Sequence, residues 1–135
     1  MTIKAGDKLP DGKLSESTEF DEAAGCPMPP HDVGVADALK GKKVDEIWCV
    51  ATNDAFVMAA WGRDQKAGGK IRMLGDGSVQ WTKALGLELD LTARNMGVRS
   101  QRYSMLVENG VVKKLNVEAP GKYEVSGAET MLSQL

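Results

Sequence analysis

Apolar residues gather into short runs only after the first third of the chain. Over residues 1–33 glycine, proline, serine and acidic residues dominate and no period emerges. Short extended pieces and loops are expected there. The prolines of Gly25-Cys26-Pro27-Met28-Pro29-Pro30 fix φ and exclude a helix. Val35-Ala36-Asp37-Ala38-Leu39 reads as one helical turn ended by Gly41. From Val44 the pattern sharpens. Ile47-Trp48-Cys49-Val50-Ala51 is an apolar run of strand formers and predicts a buried strand. Asn53-Asp54 can cap the helix that follows. In that helix Phe56, Val57, Ala60 and Trp61 form an apolar stripe, and Arg63, Asp64 and Lys66 face water. Gly68-Gly69 ends it. Ile71-Arg72-Met73-Leu74 predicts a second strand. Gly75-Asp76-Gly77 turns, Ser78 caps, and Val79 to Leu85 form a short helix closed by Gly86.

Two apolar runs, Tyr103 to Val107 and Val111 to Val117, flank Asn109-Gly110. That pair predicts a hairpin, because a type I′ turn needs positive φ at both central residues. Ser126 with Glu129 three residues on reads as a capping box opening a helix over Ala128 to Leu135. The order is β-α-β-α-β-β-α after a loop-rich start. Strand–helix–strand alternation implies a parallel pair, and the hairpin adds antiparallel strands. An α/β fold follows, a mixed sheet flanked by helices, in a single domain over residues 1–135.

Composition narrows the function. The chain has 135 residues, 42% hydrophobic and 27% charged, which excludes disordered and collagen-like classes. No apolar stretch has the length to cross a membrane, and the start, MTIKAGDKLP, lacks the apolar segment of a signal peptide. A net charge of −2 argues against a nucleic-acid surface. Two cysteines without such a signal suggest a reducing, cytoplasmic setting. The single histidine, His31, weakens any zinc site or Ser-His-Asp triad.

Each candidate for chemistry has a plainer reading beside it. Gly75-Asp76-Gly77-Ser78-Val79-Gln80 resembles half of a dinucleotide fingerprint, but Gln80 replaces the third glycine, and a turn with an N-cap is the better reading. There is no phosphate-binding Gly-x-x-x-x-Gly-Lys loop, and no cofactor or metal is expected. His31, between Pro30 and Asp32, reads as a solvated loop residue. Cys49 lies in an apolar strand, where a thiol keeps a high pKa. Cys26 sits in a proline-rich loop without a feature that would lower its pKa. Arg99 and Arg102 precede a hairpin strand, at a sheet end where α/β proteins place active sites. Ordinary solvated arginines are the alternative.

The segment Val44-Asp45-Glu46-Ile47-Trp48-Cys49-Val50-Ala51-Thr52-Asn53-Asp54-Ala55-Phe56-Val57-Met58 resembles a block of the peroxiredoxin family, in the glutaredoxin- or glutathione-dependent branch related to the atypical two-cysteine peroxiredoxins. Trp61-Gly62-Arg63, Leu85 to Asp90, Gly97-Val98-Arg99-Ser100, Arg102-Tyr103-Ser104-Met105 and Asn109 to Glu118 continue the likeness. The resemblance implies a thioredoxin-like fold and a homodimer. It implies reduction of hydrogen peroxide and alkyl hydroperoxides by a cysteine thiolate, with glutathione or glutaredoxin as reductant. That cysteine would lie in Pro-x-x-x-Thr/Ser-x-x-Cys at a helix start, its pKa lowered by the helix dipole and by an arginine. Arg102 matches that arginine and is the one catalytic residue the resemblance assigns. Met58, off the apolar stripe, and Met96, in a loop, are candidates for an association surface.

The chain departs from this pattern. It contains no Pro-x-x-x-Thr/Ser-x-x-Cys, and Val44 begins the next family strand directly after Gly41-Lys42-Lys43. One strand–loop–helix unit is missing, roughly 30 residues by the usual size of such units. Lys122-Tyr123-Glu124-Val125 holds no resolving cysteine either. The missing strand is central in the family, so its loss strips a partner from the Trp48 strand. Its loss should also be hard to survive with ~5–15 kcal/mol of net stability. A physical break between about Leu39 and Asp45 is therefore expected, the segment belonging to the protein but skipped in this numbering. The 135-residue chain itself should be inactive. The alternatives are a catalytically dead remnant used for binding or dimerisation, and a redox sensor built on Cys26 and Cys49.

Overall fold

A computed structural model describes residues 2–17, 20–21, 26–27, 31–34, 46–67 and 71–135, with backbone alone at 20–21, 26–27, 31–34 and 132. The helical turn expected at residues 35–39 and the chain break expected between Leu39 and Asp45 lie outside the described residues. The sequence itself passes from Lys43 to Val44 without interruption.

The glycine- and proline-rich start forms short strands: β1 (Lys13–Glu16), β2 (Phe20–Asp21), β3 (Cys26–Pro27) and β4 (His31–Gly34). His31 therefore lies in a strand, opposite Glu16, and not in a loop. The Trp48 run is β5 (Ile47–Ala51) and the Arg72 run is β6 (Ile71–Gly75). They pair in parallel, Trp48 opposite Arg72 and Val50 opposite Leu74. Between them runs α1 (Ala55–Asp64), capped by Asp54, whose Oδ1 accepts from the Val57 amide at 2.8 Å.

The face that α1 buries is the reverse of the expected one. Ala55, Met58, Ala59 and Gly62 are buried, while Phe56, Val57 and Trp61 are 41%, 47% and 45% exposed. The small side chains let the helix approach the sheet closely. A Cβ on Gly62 would stand 2.8 Å from Met73 Cγ. Close approach outweighs the size of the larger apolar groups, which are left outside. Met58, expected at the surface, is fully buried, and Met96 is exposed.

After β6 the chain forms α2 (Gln80–Leu85), ended by Gly86 at φ +69. Ser78 does not cap it. Asp76 does, its carboxylate accepting from the Trp81 amide at 3.1 Å and the Thr82 amide and hydroxyl at 2.8 Å each. The position before the helix, Val79, is left-handed, so the cap comes from further back. Two short strands not legible in the sequence, β7 (Glu88–Asp90) and β8 (Val98–Ser100), pair antiparallel around a 3-10 turn at Thr92–Arg94. The hairpin is present as β9 (Tyr103–Glu108) and β10 (Val111–Val117), with Asn109 at φ +51 and Gly110 at φ +77. The chain closes with α3 (Ala128–Gln134). Its expected capping box is replaced: the amide of Ser126 donates to Glu118, not to Glu129.

The described strands do not form one sheet. Among the described residues the order β4-β1-β6-β5 makes one mixed sheet, and β9 pairs with β10 alone. Among these residues β5 is an edge, half-buried, with Ile47 60% exposed, where a buried strand was expected. A shared core still joins the two sheets. Leu14, Leu74, Trp81, Leu85, Leu87 and Val112 are buried in it, and Trp48, Val50, Tyr103, Met105 and Val107 pack against it. Arg72 fastens the far end of the sheet. It donates two hydrogen bonds to buried Glu16 and lies 5.5 Å from the Trp48 ring, whose indole N–H donates to Glu46.

Candidate functional site

The carboxyl ends of β5 and β6, the start of α1 and the β8–β9 link converge at one end of the sheet. Gly75 makes the convergence possible. A Cβ there would lie 2.6 Å from the Asn53 carbonyl oxygen and 2.9 Å from the Ala55 amide nitrogen. The Asp76 amide donates to the Ala51 carbonyl at 2.8 Å. The Gly-x-Gly sequence that resembled a nucleotide fingerprint therefore serves packing and capping.

Arg99, for which a solvated role was open, is half-buried and clamps this end. Its Nε donates to the Met96 carbonyl at 2.7 Å, and its Nη1 to the Thr52 carbonyl at 3.3 Å and Asn53 Oδ1 at 3.2 Å. The clamp ties the residues leading into β9 to the residues leaving β5. Sequence reading missed it, because no local signal links positions 46 and 47 residues apart.

Arg102 stands three residues on, immediately before β9, and is exposed. Its carbonyl accepts from the Glu118 amide at 2.9 Å, and its guanidinium lies 5.0 Å from the Tyr123 ring. It lines a shallow pocket of about 320 Å³ with Glu118, Lys122 and Tyr123. Glu118 organises the loop that carries Tyr123. Its Oε1 accepts from the amides of Glu124, Val125 and Ser126 at 2.7–2.9 Å. Desolvation would raise the Glu118 pKa, but these donors together outweigh it and hold the carboxyl at about 2. A cation over an aromatic face is a modest attraction, so Arg102 is held but not locked.

The Cys49 thiol is free and half-buried, and burial pushes its pKa up. A thiol kept protonated is a poor nucleophile. Burial also pushes the Tyr103 phenol up to about 12, against a hydrogen bond with Trp81 that favours ionisation. The structure does not join Arg102 to Cys49, and the Cys26 and His31 side chains lie outside the described residues. Among the described residues no three metal-ligating side chains converge.

A family model described as Redoxin matches residues 22–132. Peroxiredoxin-2C of Arabidopsis thaliana is 38% identical over 159 residues, taking in 98% of each chain. That match is 24 residues longer than the 135 of this chain, so at least as many residues of the relative have no counterpart here. Reduced Prx3 of Vibrio vulnificus, solved in complex with hydrogen peroxide, is 40% identical and superposes with a TM-score of 0.86 over 98% of this chain and 99% of its own. A Burkholderia cenocepacia crystal structure is 43% identical, with a TM-score of 0.91 over 100% of this chain and 99% of its own. Superposition over nearly the whole chain means that the hairpin and the main sheet keep the relative placement they have in these proteins, although no strand among the described residues joins them. The chain belongs to the redoxin family, as a peroxiredoxin of thioredoxin-like fold.

Proposed function

We propose that this chain is the scaffold of a thiol-dependent peroxidase whose peroxidatic cysteine lies in a strand–loop–helix segment absent between Lys43 and Val44. The carrying observation is the convergence of the β5 and β6 ends with the β8–β9 link, where Arg99 holds Thr52 and Asn53 and Arg102 follows three residues on, with no low-pKa cysteine among the described side chains. In the reaction a thiolate attacks the terminal oxygen of a hydroperoxide. The S–O bond forms as the O–O bond breaks, and the departing oxygen takes a proton to become water or an alcohol. The resulting sulfenic acid condenses with a thiol, releasing water, and a second thiol frees the cysteine as a new disulfide forms. Glutathione or glutaredoxin is the proposed source of both thiols, in a reducing compartment such as the cytoplasm, where the free Cys49 thiol is at home.

The test is intact mass together with turnover. Protein isolated from its source should be heavier than 14.5 kDa by about 30 residues, the size of one such unit. The 135-residue chain should reduce no peroxide in a glutathione-coupled assay. A native mass of 14.5 kDa would favour a catalytically dead binding module. Turnover by the 135-residue chain that is lost in Cys26→Ser would replace the proposal with chemistry at Cys26.

The same reading carries a homodimer. The exposed Phe56, Val57 and Trp61 on α1 and the exposed Met96 are the apolar groups available for it. Buried Met58 is not among them. Sedimentation at micromolar concentration should give twice the chain mass, and a monomer alone would count against it.

A further inference from the structure

We propose that Glu118 is a positioning residue: its carboxylate builds the turn that seats the Tyr123 ring against the Arg102 guanidinium and so aims that arginine. Its part in turnover rests on the peroxidase reading above, whereas the seating is a property of this chain alone. The hairpin supplies the backbone half of the hold. One step beyond the Tyr103–Val117 pair of β9 and β10, the Glu118 amide donates to the Arg102 carbonyl at 2.9 Å. That bond fixes where the side chain leaves the main chain. It does not fix where the long arginine stem points, because several rotatable bonds follow.

The carboxylate supplies the other half. Glu118 is buried, and its Oε1 accepts from the amides of three successive residues, Glu124, Val125 and Ser126. A charged acceptor makes each bond stronger than a neutral one would. The Lys122 amide closes the same turn on the Ala119 carbonyl at 3.0 Å. Tyr123 is carried within this turn and is 66% exposed, so burial in a core does not hold it. Its ring lies 5.0 Å from Arg102 Cζ. Its hydroxyl faces Gly127, where a Cβ would come within 3.1 Å of it. The turn thus seats the ring between Arg102 and the start of α3. An aromatic face suits the task, since it attracts the cation as a whole rather than consuming its N–H groups one by one. Arg99 is the contrast, its donors bound to oxygens of Met96, Thr52 and Asn53.

The seating is read in the 135-residue chain by the upfield ring-current displacement of the Arg102 δ-methylene protons. Tyr123→Leu removes the ring and identifies that displacement. Glu118→Ala should abolish it. Glu118→Gln, which keeps an oxygen where the three amides converge, should preserve it. In a form that carries the missing segment, Glu118→Ala should lower turnover about 10- to 100-fold, the cost of displacing a reacting group by about 1 Å. Added to Arg102→Ala, it should cost nothing further, because it acts through that arginine. If Glu118→Ala does not fold, Tyr123→Leu takes its place in both turnover measurements, with the same expected directions. A ring displacement unchanged in Glu118→Ala would overturn the proposal. So would costs that multiply with that of Arg102→Ala, the mark of general damage to the fold. Loss of the displacement in Glu118→Ala with full turnover in Arg102→Ala would reject the peroxidase role of Arg102 and uphold its seating by Glu118, so the two failures are told apart.

Discussion

Arg102→Ala, made in a form that carries the missing segment, is expected to lower peroxidase turnover about 100- to 1000-fold, the usual cost of removing one preorganised donor to a developing charge. The expectation rests on position. Arg102 lies immediately before β9, three residues after the Arg99 that holds Thr52 and Asn53, and its carbonyl is fixed by the Glu118 amide. Its guanidinium rests on the exposed Tyr123 ring, a contact weak enough to be exchanged for a thiolate and a peroxide oxygen. Arginine stays charged and offers a rigid fork of donors, so Arg102→Lys should also be impaired. Arg99→Ala is the informative comparison. Its donors are spent on Met96, Thr52 and Asn53, so its loss should lower stability more than it alters the thiol pKa. Unchanged thiol pKa and turnover in Arg102→Ala would refute the assignment. Abolished chemistry in a still-folded Arg99→Ala would move the role to Arg99.

Gly75→Ala should destabilise the chain by about 3 kcal/mol, the upper part of the range for forcing a methyl group into a packed site. The atoms in its way are backbone: the Asn53 oxygen at 2.6 Å, the Ala55 nitrogen at 2.9 Å and the Asp54 carbonyl carbon at 3.0 Å. None can rotate aside as a side chain would. Relief requires β6 and the start of α1 to separate, which also disturbs the Asn53 that Arg99 holds. Gly77→Ala is the control, since its nearest contact would be 3.7 Å. Its effect should stay within about 0.5 kcal/mol. Urea midpoints of the two variants decide the matter. Equal midpoints would mean that the close approach at Gly75 is not what holds this end of the sheet.

Local signals that carry their own physical cause were legible in the sequence. Asn109-Gly110 specified its hairpin because few residues tolerate two successive positive φ angles. Asp54 specified its cap because its side chain reaches the amide three residues on. The parallel pairing of β5 and β6 followed from the strand–helix–strand order, and the family blocks from Val44 onward placed the chain among the peroxiredoxins. The absent cysteine motif was equally plain, because a motif is a property of sequence alone. What the sequence misled on was decided by neighbours distant along the chain. The buried face of α1 depended on how closely a sheet could approach Ala55, Ala59 and Gly62, not on which residues were most apolar. The caps of α2 and of the C-terminal turn came from Asp76 and Glu118, each better placed in space than Ser78 or Glu129. Arg99 became a clamp only when the residues after β5 were folded back against it. Most of all, the split of the described strands into separate sheets is a tertiary fact. The sequence announces a strand wherever apolar β formers run together, but an edge is defined by whether another strand lies alongside, and that depends on the whole fold.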